Sequence, residues 1–307
     1  MKKAILHIGC EKTGTTSIQN FLYENRNEML DRHGILYPES LGKRNHTKLA
    51  IFSCEPDKNL IRFLPNNRSI DYFRRKTRED FINEVFGSPA ETVIISNEWL
   101  HPRLKDPVEF DRLKSLLNEV VGETEIIFYV RRQDELAISL YSTSLRAGNY
   151  RAFRFPEIRS RQALPYFYDF YEIYKNWSNH FGKDHVSVRI FDRKRLTGND
   201  VVRDFLSYLE LGESNLSIPY EENLSLNAFG ISMMRLVNYL CHKFDIDPQY
   251  RTIKTFRNRI SEYFSGKSKL ATESERREFL ENFSRSNALL FSELSLRFGR
   301  KIPGFDD

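Results

Sequence analysis

The chain has three cysteines in 307 residues, Cys10, Cys54 and Cys241, and they stand far apart. That count and spacing exclude a disulfide scaffold and a clustered zinc site, and they fit a reducing, cytoplasmic setting. Long apolar runs are missing too. Lys2-Lys3 followed by Ala4 to Cys10 is too short for a secretory leader and is interrupted by His7, so it is expected to be strand, not signal. No other apolar run approaches bilayer-spanning length, and no transmembrane segment is expected. Nor is there a large excess of one charge. Lys+Arg number 47 against 42 Asp+Glu, a net +5 in a chain that is 29% charged. This permits an anionic substrate without implying nucleic acid, and no recognisable nucleic-acid module accompanies the basic segments. With no internal repeat or low-complexity linker, and with 40% hydrophobic and 13% aromatic residues, the chain has ample core. The expectation is one domain over 1–307, with a core at about 3–211 and a helical extension at about 223–300.

What is present is concentrated near the start. Ala4-Ile5-Leu6-His7-Ile8 is an apolar run of strand length, and Ile18, Phe21, Leu22, Met29 and Leu30 recur at helical spacing. Between them lies Gly9-Cys10-Glu11-Lys12-Thr13-Gly14-Thr15-Thr16-Ser17, a strand-to-helix turn. Its glycines let the backbone bend and approach a ligand, and the N-terminus of the following helix favours an anion. Thr15, Thr16 and Ser17 add hydroxyl donors. Gly9 and Gly14 have the separation of an ATP-type P-loop, but Thr15 occupies the lysine position and the lysine has moved back to Lys12. That argues against an ordinary ATPase or GTPase, whose lysine reaches a γ-phosphate and whose next hydroxyl holds Mg²⁺.

Further along, Thr92 to Ser96 is a β-branched strand ending in Asn97-Glu98-Trp99-Leu100-His101, and Glu125 to Val130 is another, ending in Arg131-Arg132. Ligands of open parallel sheets bind outside the carboxyl ends of strands, which puts Glu98 and His101 where chemistry is done. A glutamate there also serves as a helix cap or surface charge. Arg131 closes its strand and Ser139 lies eight residues on, in a helix that Asp134 can cap, so both can face one cleft. His185 to Phe191 is a fourth strand, and Asp200 caps the helix of Val201, Val202, Phe205 and Leu206. The basic stretch Arg62 to Lys76 reads either as a solvated face or as an acceptor-binding rim for an anionic saccharide. Arg146 to Arg161, interleaved with Tyr150, Phe153 and Phe155, reads either as a lid or sugar-stacking surface or as a solvated connection anchored by its phenylalanines. A helix is expected to present Phe229, Met233, Leu236, Val237 and Leu240 as its apolar face, and a long charged helix is expected from Glu273 to Phe298.

The phrase Lys12-Thr13-Gly14-Thr15-Thr16-Ser17 resembles the 5′-phosphosulfate loop of sulfotransferases that use 3′-phosphoadenosine 5′-phosphosulfate (PAPS), in particular bacterial carbohydrate-type members. Tyr129-Val130-Arg131, five residues, then Ala137-Ile138-Ser139-Leu140-Tyr141 is similar to that family's 3′-phosphate segment. A guanidinium offers phosphate planar paired donors, and a hydroxyl completes the shell. Arg132 and Gln133 stand where many members have Asn-Pro, and no Arg-Lys-Gly element is present. The resemblance implies an α/β fold with a P-loop-like central parallel sheet flanked by helices, PAPS as donor, 3′,5′-ADP as product, and no metal. It also implies a carbohydrate or glycoconjugate acceptor, anionic or lipid-linked forms included. Lys12 would stabilise the leaving oxygen and Lys12 to Ser17 would cradle the phosphosulfate. Arg131 and Ser139 would hold the 3′-phosphate. The resemblance also implies Glu98 as the base, because glycan-modifying members similar to this chain use a glutamate after the corresponding strand and a buried carboxylate can be tuned towards the working pH; His101 is the reserve. A nucleotide or sugar kinase and a noncatalytic nucleotide-binding protein remain as alternatives.

Overall fold

Five runs of apolar and β-branched residues form one parallel sheet in the computed structural model, which describes residues 2–55, 64, 69–160, 163–213, 215–218, 226–247, 250–264, 266 and 269–298. The strands are β1 (Lys3–His7), β2 (Ile35–Leu36), β3 (Thr92–Ser96), β4 (Glu123–Val130) and β5 (Val186–Ile190), in the order β2-β3-β1-β4-β5. Near-continuous apolar strands suit a parallel sheet buried on both faces. The helices in chain order are α1 (Thr15–Glu24), α2 (Arg26–His33), α3 (Thr47–Ser53), α4 (Ile70–Gly87), α5 (Leu100–Arg103), α6 (Pro107–Asn118) and α7 (Gln133–Arg146). They continue with α8 (Phe170–Phe181), α9 (Val201–Tyr208), α10 (Ala228–Lys243), α11 (Arg251–Tyr263), α12 (Glu273–Glu281) and α13 (Ser284–Phe298). None of them is long and apolar enough to cross a membrane.

Two compact units emerge. The first comprises Met1–Arg131, Asp169–Tyr220 and Leu289–Ile302, and it holds the whole sheet. On one face Ile5, Ile94, Ile127 and Tyr129 pack with Ile18, Phe21 and Leu22 of α1 and Phe205 and Leu206 of α9. On the other, α8 lies on β4 and β5, and its Trp177 meets Phe110 of α6 edge-on with ring centroids 5.0 Å apart. Chain order places β2 and β3 to one side of β1 and β4 and β5 to the other. The crevice at the carboxyl end of β1 is therefore the topological switch point, where ligands of such sheets bind.

The second unit is built on Arg132–Tyr168 and Glu221–Ala288. Tyr141 and Leu145 of α7 form its core with Ile231 and Met234 of α10 and Ile260 of α11. Asp134 does not cap α7. It lies inside the first turn, fully buried, and its carboxylate takes Arg132 at 2.8 Å and Arg276 at 3.0 Å. Gln133 and Asn287 exchange reciprocal amide hydrogen bonds of 2.8 and 3.2 Å. The residues in place of Asn-Pro thus brace this unit.

Three other expectations shift. The residues from Ile18 to Leu30 at helical spacing belong to two helices, not one, because Asn25 turns the chain and fixes its side chain on both the amide and the carbonyl of Ser217, at 2.8 and 2.9 Å. Glu273 to Phe298 likewise breaks, between α12 and α13. On α10 the buried face is Gly230, Ile231, Met234, Asn238 and Cys241, one residue round from the expected stripe, and Phe229, Leu236 and Leu240 are exposed. Of the basic stretch Arg62 to Lys76, positions 62, 63 and 65–68 lie outside the described residues. Arg74 bonds the carbonyls of Phe52 and Cys54 and braces the fold, while Lys76 pairs with Asp80 one turn on at the helix surface.

Candidate active site

The segment after β1 stays zipped to β4. The amide of Ile8 donates to the Ile127 carbonyl at 3.1 Å, that of Tyr129 to Gly9 at 2.8 Å, and that of Cys10 to Tyr129 at 3.1 Å. The chain then turns through three left-handed residues, Gly9 (φ 98°), Lys12 (φ 66°) and Gly14 (φ 76°), and α1 begins at Thr15. Gly14 is the N-cap residue and offers no side-chain cap. Both glycines also have a steric reason. A Cβ on Gly14 would lie 2.7 Å from Val201, and one on Gly9 would lie 3.0 Å from both Cα and Cβ of Glu98.

The hydroxyls divide between the loop's own structure and its surface. Thr13 and Thr15 both donate to the Cys10 carbonyl, at 2.7 and 3.0 Å, which closes the turn on itself. Thr16 is exposed and Ser17 is buried in the first turn of α1. Burial pushes the Cys10 thiol far up, so it stays protonated and unreactive. Arg131, at the end of β4, donates to the Lys12 carbonyl at 3.1 Å and lies over the Phe191 ring, 5.5 Å from its centroid. Sequence-predicted residues from two elements thus meet at one loop.

Glu98 follows β3 and is held from two sides. Gln19 of α1 donates to its Oε2 at 2.8 Å, and the Asn45 amide donates to both oxygens at 3.0 and 3.1 Å. Asn45 is itself oriented by Asn97, whose amide donates to its Oδ1. The Gln19 amide also reaches Ser96 Oγ at 3.3 Å, and that hydroxyl bonds His7 Nδ1 at 2.8 Å. A polar seam therefore runs from Glu98 into the sheet. Beside it Glu11 is held above the ordinary carboxylate range, first by burial and then by Glu98, against the pull of Arg103 and Lys12. Two carboxylates and two cations share this crevice.

His101 is fully buried on α5, its ring 6.2 Å from that of Phe170, and burial pushes its pKa down to about 3. His46 is buried as well. Its amide donates to the Ser96 carbonyl at 3.1 Å, and its Nδ1 accepts the Ser96 amide at 3.0 Å, so it holds its loop to the end of β3. Ser139 belongs to the second unit, half-buried on α7, where its carbonyl accepts from Thr143 at 3.3 Å. Sequence reasoning overlooked Gln19 and the clamp role of Asn45. The available signal was a glutamine beside Ile18 and Phe21 on a helix whose neighbours pack inward; it is 4% exposed.

No family model matches the chain. An uncharacterized protein of Archaeoglobus fulgidus is 28% identical over 214 residues, which is 68% of this chain and 54% of that protein. The chain spans about half the length of the curated relative it matches. Among solved structures, a sulfotransferase from Alicyclobacillus acidocaldarius aligns with a TM-score of 0.42 at 16% identity, covering 84% of this chain and 96% of that one.

Proposed function

We propose that the chain moves a sulfuryl group from PAPS to a hydroxyl of a carbohydrate or glycoconjugate. The observation that carries this reading is the hydrogen bond from Arg131 to the Lys12 carbonyl, which joins the two segments that resemble the PAPS loop and the 3′-phosphate element. The left-handed, uncapped start of α1 supports an anion at the loop, because backbone N–H groups and the helix dipole favour negative charge there.

In this scheme Lys12, Thr13, Gly14, Thr15, Thr16 and Ser17 hold the phosphosulfate. Arg131 binds the 3′-phosphate, and the resemblance adds Ser139 to that shell. The acceptor oxygen forms a bond to sulfur while the bond from sulfur to the 5′-phosphate oxygen breaks. The electron pair stays on that oxygen, and 3′,5′-ADP leaves. Charge grows on the departing oxygen, so Lys12 and the α1 amides stabilise it more as the bond stretches. Glu98, fixed by Gln19 and Asn45, takes the acceptor's proton. His101 is second for that role, being fully buried.

Calorimetry with 3′,5′-ADP, 5′-AMP and ATP–Mg²⁺ tests the reading. Preference for 3′,5′-ADP, lost in Arg131→Ala, supports it, and preference for ATP–Mg²⁺ replaces it with a kinase. Transfer of labelled sulfate from PAPS to a glycan panel, absent in Lys12→Ala, then separates an enzyme from a nucleotide-binding protein.

A further inference from the structure

The second unit contains a cavity of about 940 Å³ that the reaction scheme does not use. Its size is within the range of small-molecule sites, about 300–1,000 Å³. Among the described residues that line it are three tyrosines, Tyr141, Tyr150 and Tyr239, and three arginines, Arg151, Arg154 and Arg235, with no carboxylate. An ordinary solvated face of this chain mixes both signs, so a concave surface with guanidinium groups alone selects for negative charge.

The walls are fixed by buried groups. Asn238, 1% exposed, donates to the carbonyls of Leu145 and Asn149, each at 2.8 Å, and pins the end of α7 to α10. Asn149 Oδ1 accepts the Arg151 amide at 3.0 Å, and Arg235 Nε donates to the Tyr150 carbonyl at 3.2 Å. The Tyr141 hydroxyl donates to the Arg151 carbonyl at 2.9 Å. The loop carrying Arg151 is therefore preorganised, which lowers the ordering cost of binding.

The aromatic geometry narrows the ligand. Tyr150 is stacked on His242, with centroids 4.7 Å apart and planes at 21°, and it meets Tyr239 edge-on. One face of Tyr150 is thus occupied. Single-stranded nucleic acids need open aromatic faces on which successive bases stack. Tyrosine rings, an asparagine and a serine among arginines suit hydroxyl-rich rings that carry acid groups. We infer that this cavity binds an acidic oligosaccharide, its carboxylate or sulfate groups on Arg151, Arg154 and Arg235 and its sugar rings against Tyr150 and Tyr239. That the oligosaccharide is also the acceptor rests on the transferase reading; the binding itself does not.

The test uses the full chain and titration calorimetry at fixed salt. Its probes are a hexasaccharide of uronic acid, a sulfated chondroitin hexasaccharide, a neutral glucose hexamer and a single-stranded DNA oligomer. The expected result is binding of at least one acidic hexasaccharide about tenfold or more tighter than the neutral one, weakened about tenfold or more in the Arg151→Ala/Arg154→Ala double variant. Both substitutions are on exposed side chains, so folding is retained. Lys12→Ala should keep saccharide binding and lose 3′,5′-ADP. Absence of binding to either acidic probe, equal binding of the neutral hexamer, tighter binding of DNA, or full affinity in the double variant would overturn the assignment. Failure of 3′,5′-ADP binding with saccharide binding intact would instead strike only the transferase reading.

Discussion

Gly9 and Glu98 approach so closely that a single methyl group at Gly9 would lie 3.0 Å from two carbon atoms of the glutamate. The glycine's left-handed backbone and the seat of the proposed base are one feature. Gly9→Ala is expected to destabilise the fold by about 1–3 kcal/mol, combining a strained φ with overpacking. It should also reduce sulfate transfer by displacing Glu98. Urea unfolding and a labelled-sulfate assay check both, and an alanine variant of full stability and full turnover would refute the steric account.

Arg131 and Lys12 should separate nucleotide binding from folding. Both side chains are half-buried; Lys12→Ala is expected to unfold within about 0.5 kcal/mol of the wild type, and Arg131→Ala, which loses the bond to the Lys12 carbonyl and the Phe191 contact, to cost only about 1 kcal/mol. Affinity for 3′,5′-ADP should fall roughly tenfold to a hundredfold in each. Arg131→Lys should recover little, because an ammonium cannot give the planar paired donors of a guanidinium. Calorimetry reads the affinities, and equal binding by Arg131→Lys and wild type would exclude a paired contact.

Glu98 is expected to act on turnover, with little effect on donor affinity. Glu98→Gln keeps the shape but takes no proton, and kcat should fall by about 10²–10⁴. Gln19→Leu and Asn45→Leu each remove donors that orient the carboxylate, so smaller losses in kcat are expected, with KM for PAPS near its wild-type value. Normal kcat in Glu98→Gln would remove it as the base.

Much of the fold was legible because its signals are local. The strands β1, β3, β4 and β5 are short apolar runs, and Asp200 caps α9 through the amides of Val202 and Arg203. What escaped depends on distant partners. Asn25 breaks a helix because Ser217 lies against it, and Asp134 moves from cap to buried ion pair because Arg276 arrives from 142 residues away. In the candidate site, the glycine spacing and the end of β3 located Lys12 and Glu98. The clamp by Gln19 and Asn45, and the inward turn of the Thr13 and Thr15 hydroxyls, follow from tertiary contacts that no spacing in the sequence encodes.

Beneath the sheet, Asp204 is 2% exposed and accepts from Arg189 through both oxygens, from Tyr129 at 2.9 Å and from Thr197. Burial pushes its carboxyl up, but hydrogen bonds from Arg189 and Thr197 outweigh this and hold it below its ordinary value. Arg189→Ala leaves the charge without its paired partner and should cost about 2–3 kcal/mol. Urea unfolding near neutral pH tests this, and a change under about 0.5 kcal/mol would mean that Tyr129 and Thr197 suffice.

Acid should unfold the protein well above the carboxylate range. His7, His46 and His101 are fully buried, and burial lowers each from 6.5 to about 3. The unfolded chain therefore binds up to three more protons than the native one between these values, so native stability rises with pH across that window and levels off above it. Each histidine contributes about 1.4 kcal/mol per pH unit once it is charged only in the unfolded chain. By pH 5 the summed loss is about 6 kcal/mol, comparable with the whole stability of many domains, about 5–15 kcal/mol. For His46 burial is the cause of the low value, and the geometry agrees with a neutral ring, since its Nδ1 accepts the Ser96 amide. Urea unfolding at pH 7.5, 6.5 and 5.5 should show a plateau and then a steep fall, and His7→Gln or His46→Gln should each lower the slope by about one proton. Stability that stays flat from pH 7 to pH 5 would contradict the buried, neutral assignment. If the fall occurs, loss of the proposed sulfate transfer on mild acidification will follow unfolding of the sheet.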